Sequence, residues 1–359
     1  MNEQSKIKNK SSKDEYKKIC RAIQKECRKA KEVYYNNICN ELEDLDRKNN
    51  PKLFSVIKNE LRQQKAQVRA GLKGSKGDLL METADILTRW EEYVADLYAD
   101  DRTQAMIYNE RNESMEKISE EEMKRIIEKL PKNKATGVDD IPAEFIQCCG
   151  QEGIAILTSI INKIYETGEL TKDFLTSIFI PIPKVPKAMN CEEFRTISLI
   201  THVSKILLHI VKERITPLIK NHLSQTQFRF RKGQGTREAI YVLRTLGERM
   251  WEHQKDLCIT FIDFTKAFDR VNHHKLNQIM EAIGIHFHER RVIANLYWNQ
   301  IARVRCKDEL TNEITIEKGV RQGCVLSPVL FNLYSEKLIC EALDETEGVK
   351  INSEKIKTI

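Results

Sequence analysis

The stretch LCITFIDFTKAFDRV, residues 257–271, decides how this chain is read. Leu257 to Ile262 is an apolar, partly β-branched run of strand length, and a charged, helix-like stretch follows it. The expected strand delivers Asp263 at its C-terminal end. A carboxylate in that place is a good ligand for Mg²⁺, a hard ion that takes oxygen donors, and the backbone carbonyl just beyond it can add a second oxygen. Phe268, five residues on, would pack over the same site. The alternative is an ordinary strand–turn–helix junction with a solvated aspartate.

Two further stretches carry chemistry. In EKGVRQGCVLSPVLFNLY, residues 317–334, a strand ends near Gly319, and Ser327-Pro328 opens an amphipathic helix, proline being at home in a first turn. Between them, Gly323 allows a backbone to come close to a ligand, and the Gln322 amide can hydrogen-bond a base or sugar. A capped helix after a hairpin is the plainer alternative. In IFIPIPKVPKAMNCEEFRTISLITHVSKIL, residues 178–207, a strand leads to Lys184 and Arg195 follows after a loop. Two cations on adjacent elements can clamp a triphosphate, although paired surface cations are common.

The 359 residues suit about two domains. Apolar residues make up 41%, enough for a substantial core, and charged residues 31%, which points to solvated helices or a polyanionic partner. The net charge of +6 is uneven: residues 1–40 hold 11 basic against 5 acidic residues, and residues 184–237 hold 11 against 3. Such clusters are either solvated faces or surfaces that bind phosphates by releasing counterions. The ten cysteines include no CxxC pair, so zinc-site spacing is absent. The N-terminus has no hydrophobic signal core, and no apolar run approaches the ~18 residues of a membrane span. An intracellular protein with reduced thiols, in the cytoplasm or nucleus, is expected.

Residues 1–15 are polar, and a charged helical pattern runs from about Tyr16 to Arg69. Gly71 to Asp78 suits a turn or short hairpin. A helix over Ala84–Asp101 carries the stripe Ile86, Trp90, Tyr93, Val94, Leu97 and Tyr98. Ser119, with Glu122 three residues later, caps a helix that Pro131 ends. We expect a charged helical segment over 1–115 and a second domain over 116–359. In the latter, helices at about 151–167, 201–220, 235–252, 273–283, 288–299 and 328–343 mix with strands at 177–182, 257–262, 303–306 and 314–318. The mixture without strict alternation predicts an α+β fold.

Several blocks, in one order, carry a resemblance. They are KATGVDDIPAEF at 134–145, IPK at 182–184, FRTISL at 194–199, QFRFRKGQGTREAI at 227–240, DFTKAFDRV at 263–271 and GVRQGCVLSPVLFNLY at 319–334. From about Lys132 onward the chain resembles the reverse transcriptase domain of LINE-type (non-LTR) retrotransposons, with patterns such as "KAPG.DGIP.E", "YRPISL", "Q.GFR.GRST..AI", "DF.KAFD.V" and "GVRQGC.LSP.LFN.Y". The resemblance implies a right-hand polymerase fold, of which this chain would hold the fingers and part of the palm. It implies a metal-ligand role for Asp263 assisted by the Phe264 carbonyl, and a steric-gate role for Phe268. Gln322 and Gly323 would line the nucleotide pocket, and Lys184 and Arg195 would hold the triphosphate. RNA template, DNA primer, dNTP and Mg²⁺ are the implied partners, the element's own RNA among them.

The family's Tyr-Ala-Asp-Asp hairpin is expected just beyond "GVKI", where this sequence reads EGVKINSEKIKTI and stops at Ile359. On that reading the chain is a C-terminally truncated fragment, inactive by itself. A literal Tyr98-Ala99-Asp100-Asp101 lies some 160 residues ahead of Asp263, at the end of an amphipathic helix, and reads as a chance occurrence. Three positions depart from the pattern: Thr196 stands where proline is usual, Arg229 where glycine is usual, and Gln234 where arginine is usual. A non-catalytic nucleic-acid-binding remnant is the rival expectation from another functional class. A group II intron-type maturase, related in fold, is disfavoured by the charged helical N-terminus and the KAFD wording.

Overall fold

The computed structural model describes residues 71–102, 115–346, 348–351 and 354–358, together with residues 25, 26, 28–30, 32–37 and 39–47. The chain divides into two units, 1–70 and 71–359. In the first, every described residue is helical and most are exposed, with short-range ion pairs Lys29–Glu26 and Arg47–Glu43. The expectations for 1–15 and for the rest of 16–69 lie outside the described residues.

The second unit is built on one mixed sheet with helices packed around it, which is the α+β character expected. Its central strand, β1 (Thr176–Pro183), pairs antiparallel with β2 (Phe194–Leu199) and parallel with β3 (Ile301–Cys306). The parallel pairing stops at Phe179. Pro181 and Pro183 follow, and proline lacks the N–H that a second neighbour would need. The first half of β1, flanked on both sides, is the buried half. Strand β4 (Glu309–Leu310) and strand β5 (Ile314–Thr315) each fold back on β3.

Helix α1 (Thr83–Tyr98) lies on this sheet through its apolar stripe. Trp90, Tyr93, Val94 and Tyr98 form one buried cluster with Phe179, Ala302, Val304, Ile314 and Ile316. Trp90 meets Phe194 edge-on at 5.4 Å between ring centroids, a favoured aromatic geometry. A larger cluster joins six further helices: α2 (Glu120–Glu128), α3 (Gln151–Thr167), α4 (His202–His222), α5 (His273–Ala282), α6 (Phe287–Trp298) and α7 (Ser327–Ala342). The Ser119 side chain accepts from the Glu122 N–H at 3.1 Å, the expected N-cap. Gly168 ends α3 in the left-handed conformation, φ +76°.

Two sequence expectations are corrected. Leu257–Ile262 is not a strand and is not buried: Ile259, Phe261 and Ile262 are 47%, 82% and 70% exposed. A strand requires a neighbour for its N–H and C=O groups, and none of the described residues supplies one here. The strand expected at 314–318 is only two residues long. Beyond it the Ile316 N–H still donates to the Gln300 carbonyl, but the Glu317 N–H turns to the carbonyl of Tyr98. The compact unit begins at Gly71, ahead of residue 116, because the stripe of α1 is buried against the sheet.

Candidate active site

The three motif blocks meet through their backbones. Ala267–Arg270 forms a short 3₁₀ turn, entered by Lys266 at φ +52°. The Val320 N–H donates to the Phe268 carbonyl at 2.8 Å and the Gly319 N–H to the Val271 carbonyl at 2.7 Å, so the turn is stitched to the start of GVRQGC. Two residues on from Val320, the Gln322 carbonyl accepts from the Ser198 N–H of β2 at 2.7 Å. Gly319 and Gly323 both have positive φ, +89° and +101°. A Cβ on Gly319 would sit 2.8 Å from the Asp269 carbonyl oxygen, a contact only glycine allows.

Phe268 is half-buried in a small aromatic group. Its ring stacks on Phe331 at 4.8 Å and meets Phe230 edge-on at 5.9 Å. Arg229 lies over Phe331, and its carbonyl accepts from the Asn332 side chain at 2.6 Å. The positive φ in this loop falls on Phe230, +52°, rather than on Arg229, so arginine is accommodated where the family pattern has glycine. Arg321 is 1% exposed and donates to the carbonyls of Phe174 and Leu175 at 2.9–3.1 Å. That buried cation anchors the segment from which Gln322 and Gly323 emerge.

Of the sequence-predicted residues, Phe268, Gln322, Gly323 and the strand bearing Arg195 are brought together. Arg195 is exposed, opposite Ile182 on β1. Lys184 stands at the end of β1, its ammonium donating to the Glu192 carbonyl at 2.7 Å. It is close enough to Asp269 to favour that carboxylate's charged form. Asp263 is exposed and Phe264 half-buried, in irregular chain rather than at the end of a buried strand, for want of a pairing neighbour. Among the described residues no group of three or more His, Cys, Asp or Glu stands ready to hold a metal ion.

The sequence did not single out Asp269 as part of this arrangement, nor the residues that hold it. The Tyr98 hydroxyl donates to Asp269 Oδ1 at 2.7 Å, and Lys266 Nζ donates to the Tyr93 hydroxyl at 2.9 Å while lying over that ring. Burial pushes the Asp269 carboxyl above its ordinary value, against the pull of Tyr98, Lys266 and Lys184. Burial likewise raises the Tyr98 phenol. Asp100 and Asp101, assigned from sequence to a separate domain, stand beside the same turn: Asn272 donates to Asp100 Oδ2 at 3.1 Å. The sequence signal here was the Tyr-Ala-Asp-Asp word itself, which reads as a chance occurrence.

Residues 182–358 match the family model for reverse transcriptase (RNA-dependent DNA polymerase). The chain carries a reverse transcriptase domain. It is similar to an RNA-directed DNA polymerase from the mobile element jockey of Drosophila melanogaster, 25% identical over 62% of this chain and 24% of that protein. It is also similar to a Pol polyprotein from the type-1 retrotransposable element R2 of Nasonia vitripennis, 28% identical over 56% of this chain and 19% of that protein. A third relative is the transposon TX1 149 kDa protein of Xenopus laevis, 22% identical over 71% of this chain and 20% of that protein. The domain is that of a LINE-type, non-LTR retrotransposon. The chain spans a quarter or less of the length of these relatives. No described helix is long and apolar enough to cross a membrane.

Proposed function

We propose that this chain contributes the fingers and front palm of an RNA-directed DNA polymerase, with residues 116–359 as the polymerase part, acting inside the cell in cytoplasm or nucleus. The observation that carries the reading is the backbone stitching of three motif blocks, which places Phe268 and Gln322–Gly323 on neighbouring segments. Phe268 rejects a ribose 2′-hydroxyl by bulk. Gln322 hydrogen-bonds the nucleotide, and Gly323 lets it approach the backbone. Lys184 and Arg195 hold the triphosphate, and the exposed cations of 184–237 run along the RNA template and DNA primer.

Reverse transcriptases use divalent metal ions, and Mg²⁺ is the ion we assign here; when bound, such ions neutralise charge on the reacting phosphates. The described residues fit one edge of such a site, since Asp263 and the Phe264 carbonyl are hard oxygen donors, but they do not fit a complete pair-binding site. The remaining carboxylates have to come from outside the described residues. We therefore expect the 359-residue chain to bind primer–template without extending it. A form that also carries the Tyr-Ala-Asp-Asp hairpin extends a primer on RNA with Mg²⁺ and loses this with Asp263→Ala. Extension that survives Asp263→Ala refutes the assignment. Salt-sensitive RNA binding with extension by neither form establishes the rival reading, a non-catalytic binding remnant.

A further inference from the structure

The Tyr98-Ala99-Asp100-Asp101 word and the arginine after it form a strap over the seam between the Phe268 turn and the entry to GVRQGC. Tyr98, Asp100 and Arg102 each send hydrogen bonds to that seam. The Tyr98 carbonyl accepts from the Glu317 N–H at 3.1 Å, and its hydroxyl donates to Asp269. The Asp100 N–H donates to Glu317 Oε2 at 2.8 Å, and its carboxylate accepts from Asn272. Arg102 donates to the carbonyls of Trp298, Ile316 and Glu317, and its guanidinium stacks on the Trp298 ring at 4.1 Å. It also donates to His273 Nδ1 at 2.7 Å. This leaves His273 Nε2–H to donate to the Gly319 carbonyl at 2.6 Å and fixes the ring's tautomer.

We infer that Tyr98 is a positioning residue for sugar selection: by holding Asp269, it fixes the turn on which Phe268, the adjacent residue, meets the incoming nucleotide. The inference rests on the reading of Phe268 as the gate. Three features favour a positioning role over simple packing. The Tyr98 ring is already packed against Phe179, so the hydroxyl is not required for burial. The hydroxyl reaches a carboxylate across 171 residues of sequence, on the turn itself rather than on the sheet beneath. The same helix holds the turn a second time, since Lys266, which enters it, donates to the Tyr93 hydroxyl at 2.9 Å. The turn is therefore gripped from both sides, by Tyr98 through a side chain and by Gly319–Val320 through the backbone.

The test is equilibrium binding of dTTP and of UTP to the 359-residue chain on an RNA template annealed to a DNA primer. Tyr98→Phe removes only the hydroxyl. It is expected to cut the dTTP-to-UTP affinity ratio about fivefold, the scale of the net worth of one ordinary hydrogen bond, with dTTP affinity within about twofold. Asp269→Asn keeps an oxygen that accepts from Tyr98 and is expected to preserve the ratio. Val94→Ala loosens the same helix in its core and is expected to lower stability and leave the ratio alone. Phe268→Ala is expected to abolish discrimination. If Phe268→Ala abolishes it and Tyr98→Phe leaves it intact, the inference is wrong and the gate reading stands. A ratio unmoved by Phe268→Ala, or no nucleotide binding by the unsubstituted chain, overturns both.

Discussion

Two glycines in this fold answer the same substitution with opposite signs. Gly137, in the KATGVDDIP block, is buried against the junction of β2 and α4. A Cβ there would lie 2.4 Å from the Thr201 nitrogen and 2.6 Å from the Ile200 carbonyl carbon and the Thr201 Cα. All three are backbone atoms, so no rotamer change relieves the overlap. Relief requires moving the segment that starts α4, where the Thr201 hydroxyl accepts from the Ser204 N–H at 3.1 Å. Overpacking of this kind costs roughly 1–3 kcal/mol, and the disturbed N-cap adds about 1 kcal/mol. Gly137→Ala is therefore expected to destabilise by about 2–4 kcal/mol. Gly247 lies inside the helix Thr236–Glu252 with nothing within 4 Å of a built Cβ. Gly247→Ala is expected to stabilise by roughly 0.5–1 kcal/mol, the helix-interior penalty of glycine. Urea unfolding followed by circular dichroism measures both as midpoint shifts at unchanged slope. A Gly137→Ala midpoint indistinguishable from that of the unsubstituted chain would refute the reasoning, as would a lowered midpoint for Gly247→Ala.

Other expectations follow from single groups. Burial depresses His273 from 6.5 to about 4. Its folded value is below its unfolded one, so the stability it contributes is complete above about pH 6.5 and lost as pH falls toward about 4, on the order of 3 kcal/mol in all. His273→Asn should flatten that part of the stability–pH curve; an unchanged slope between pH 6.5 and 4 would contradict it. Lys184, Lys187, Arg195, Arg229, Lys232 and Arg237 are exposed. If about four of them contact phosphates, single-stranded RNA affinity should fall on the order of 50-fold from about 50 to about 200 mM salt. Affinity independent of salt would remove the electrostatic account of this surface.

What could be read from sequence was whatever rests on local order. The stripe of α1 announced a buried helix face, and Ser119 with Glu122 announced a helix start, because both signals lie within one or two turns. The motif blocks identified Phe268, Gln322 and Gly323 as neighbours, and the stitched backbones bring them together. Leu257–Ile262 failed for the complementary reason. Apolar, β-branched composition reports a capacity to pair, whereas a strand exists only when a partner is present. Strand β2 was passed over because its buried positions include Thr196 and Ser198, whose identities do not signal burial. The Tyr98–Asp269 bond was out of reach for any local reading, since its halves are 171 residues apart. Neither residue type alone distinguishes a strap from a solvated helix end.

The uncovered run 257–262 bears on how the molecule behaves in a tube. Six residues without a charge or a proline, rich in β-formers and open to solvent, have the composition of a self-associating segment. Asp256 and Asp263 bracket it, and like charges brought together at both ends of stacked copies oppose such association. Asp263 is thus expected to restrain aggregation. Replacing it by alanine removes one of the two brackets at the most exposed end, beside Phe261 and Ile262. The Asp263→Ala protein should form oligomers at lower concentration than the unsubstituted chain. Light scattering on both, before any extension assay, separates loss of a metal ligand from loss of a monomer.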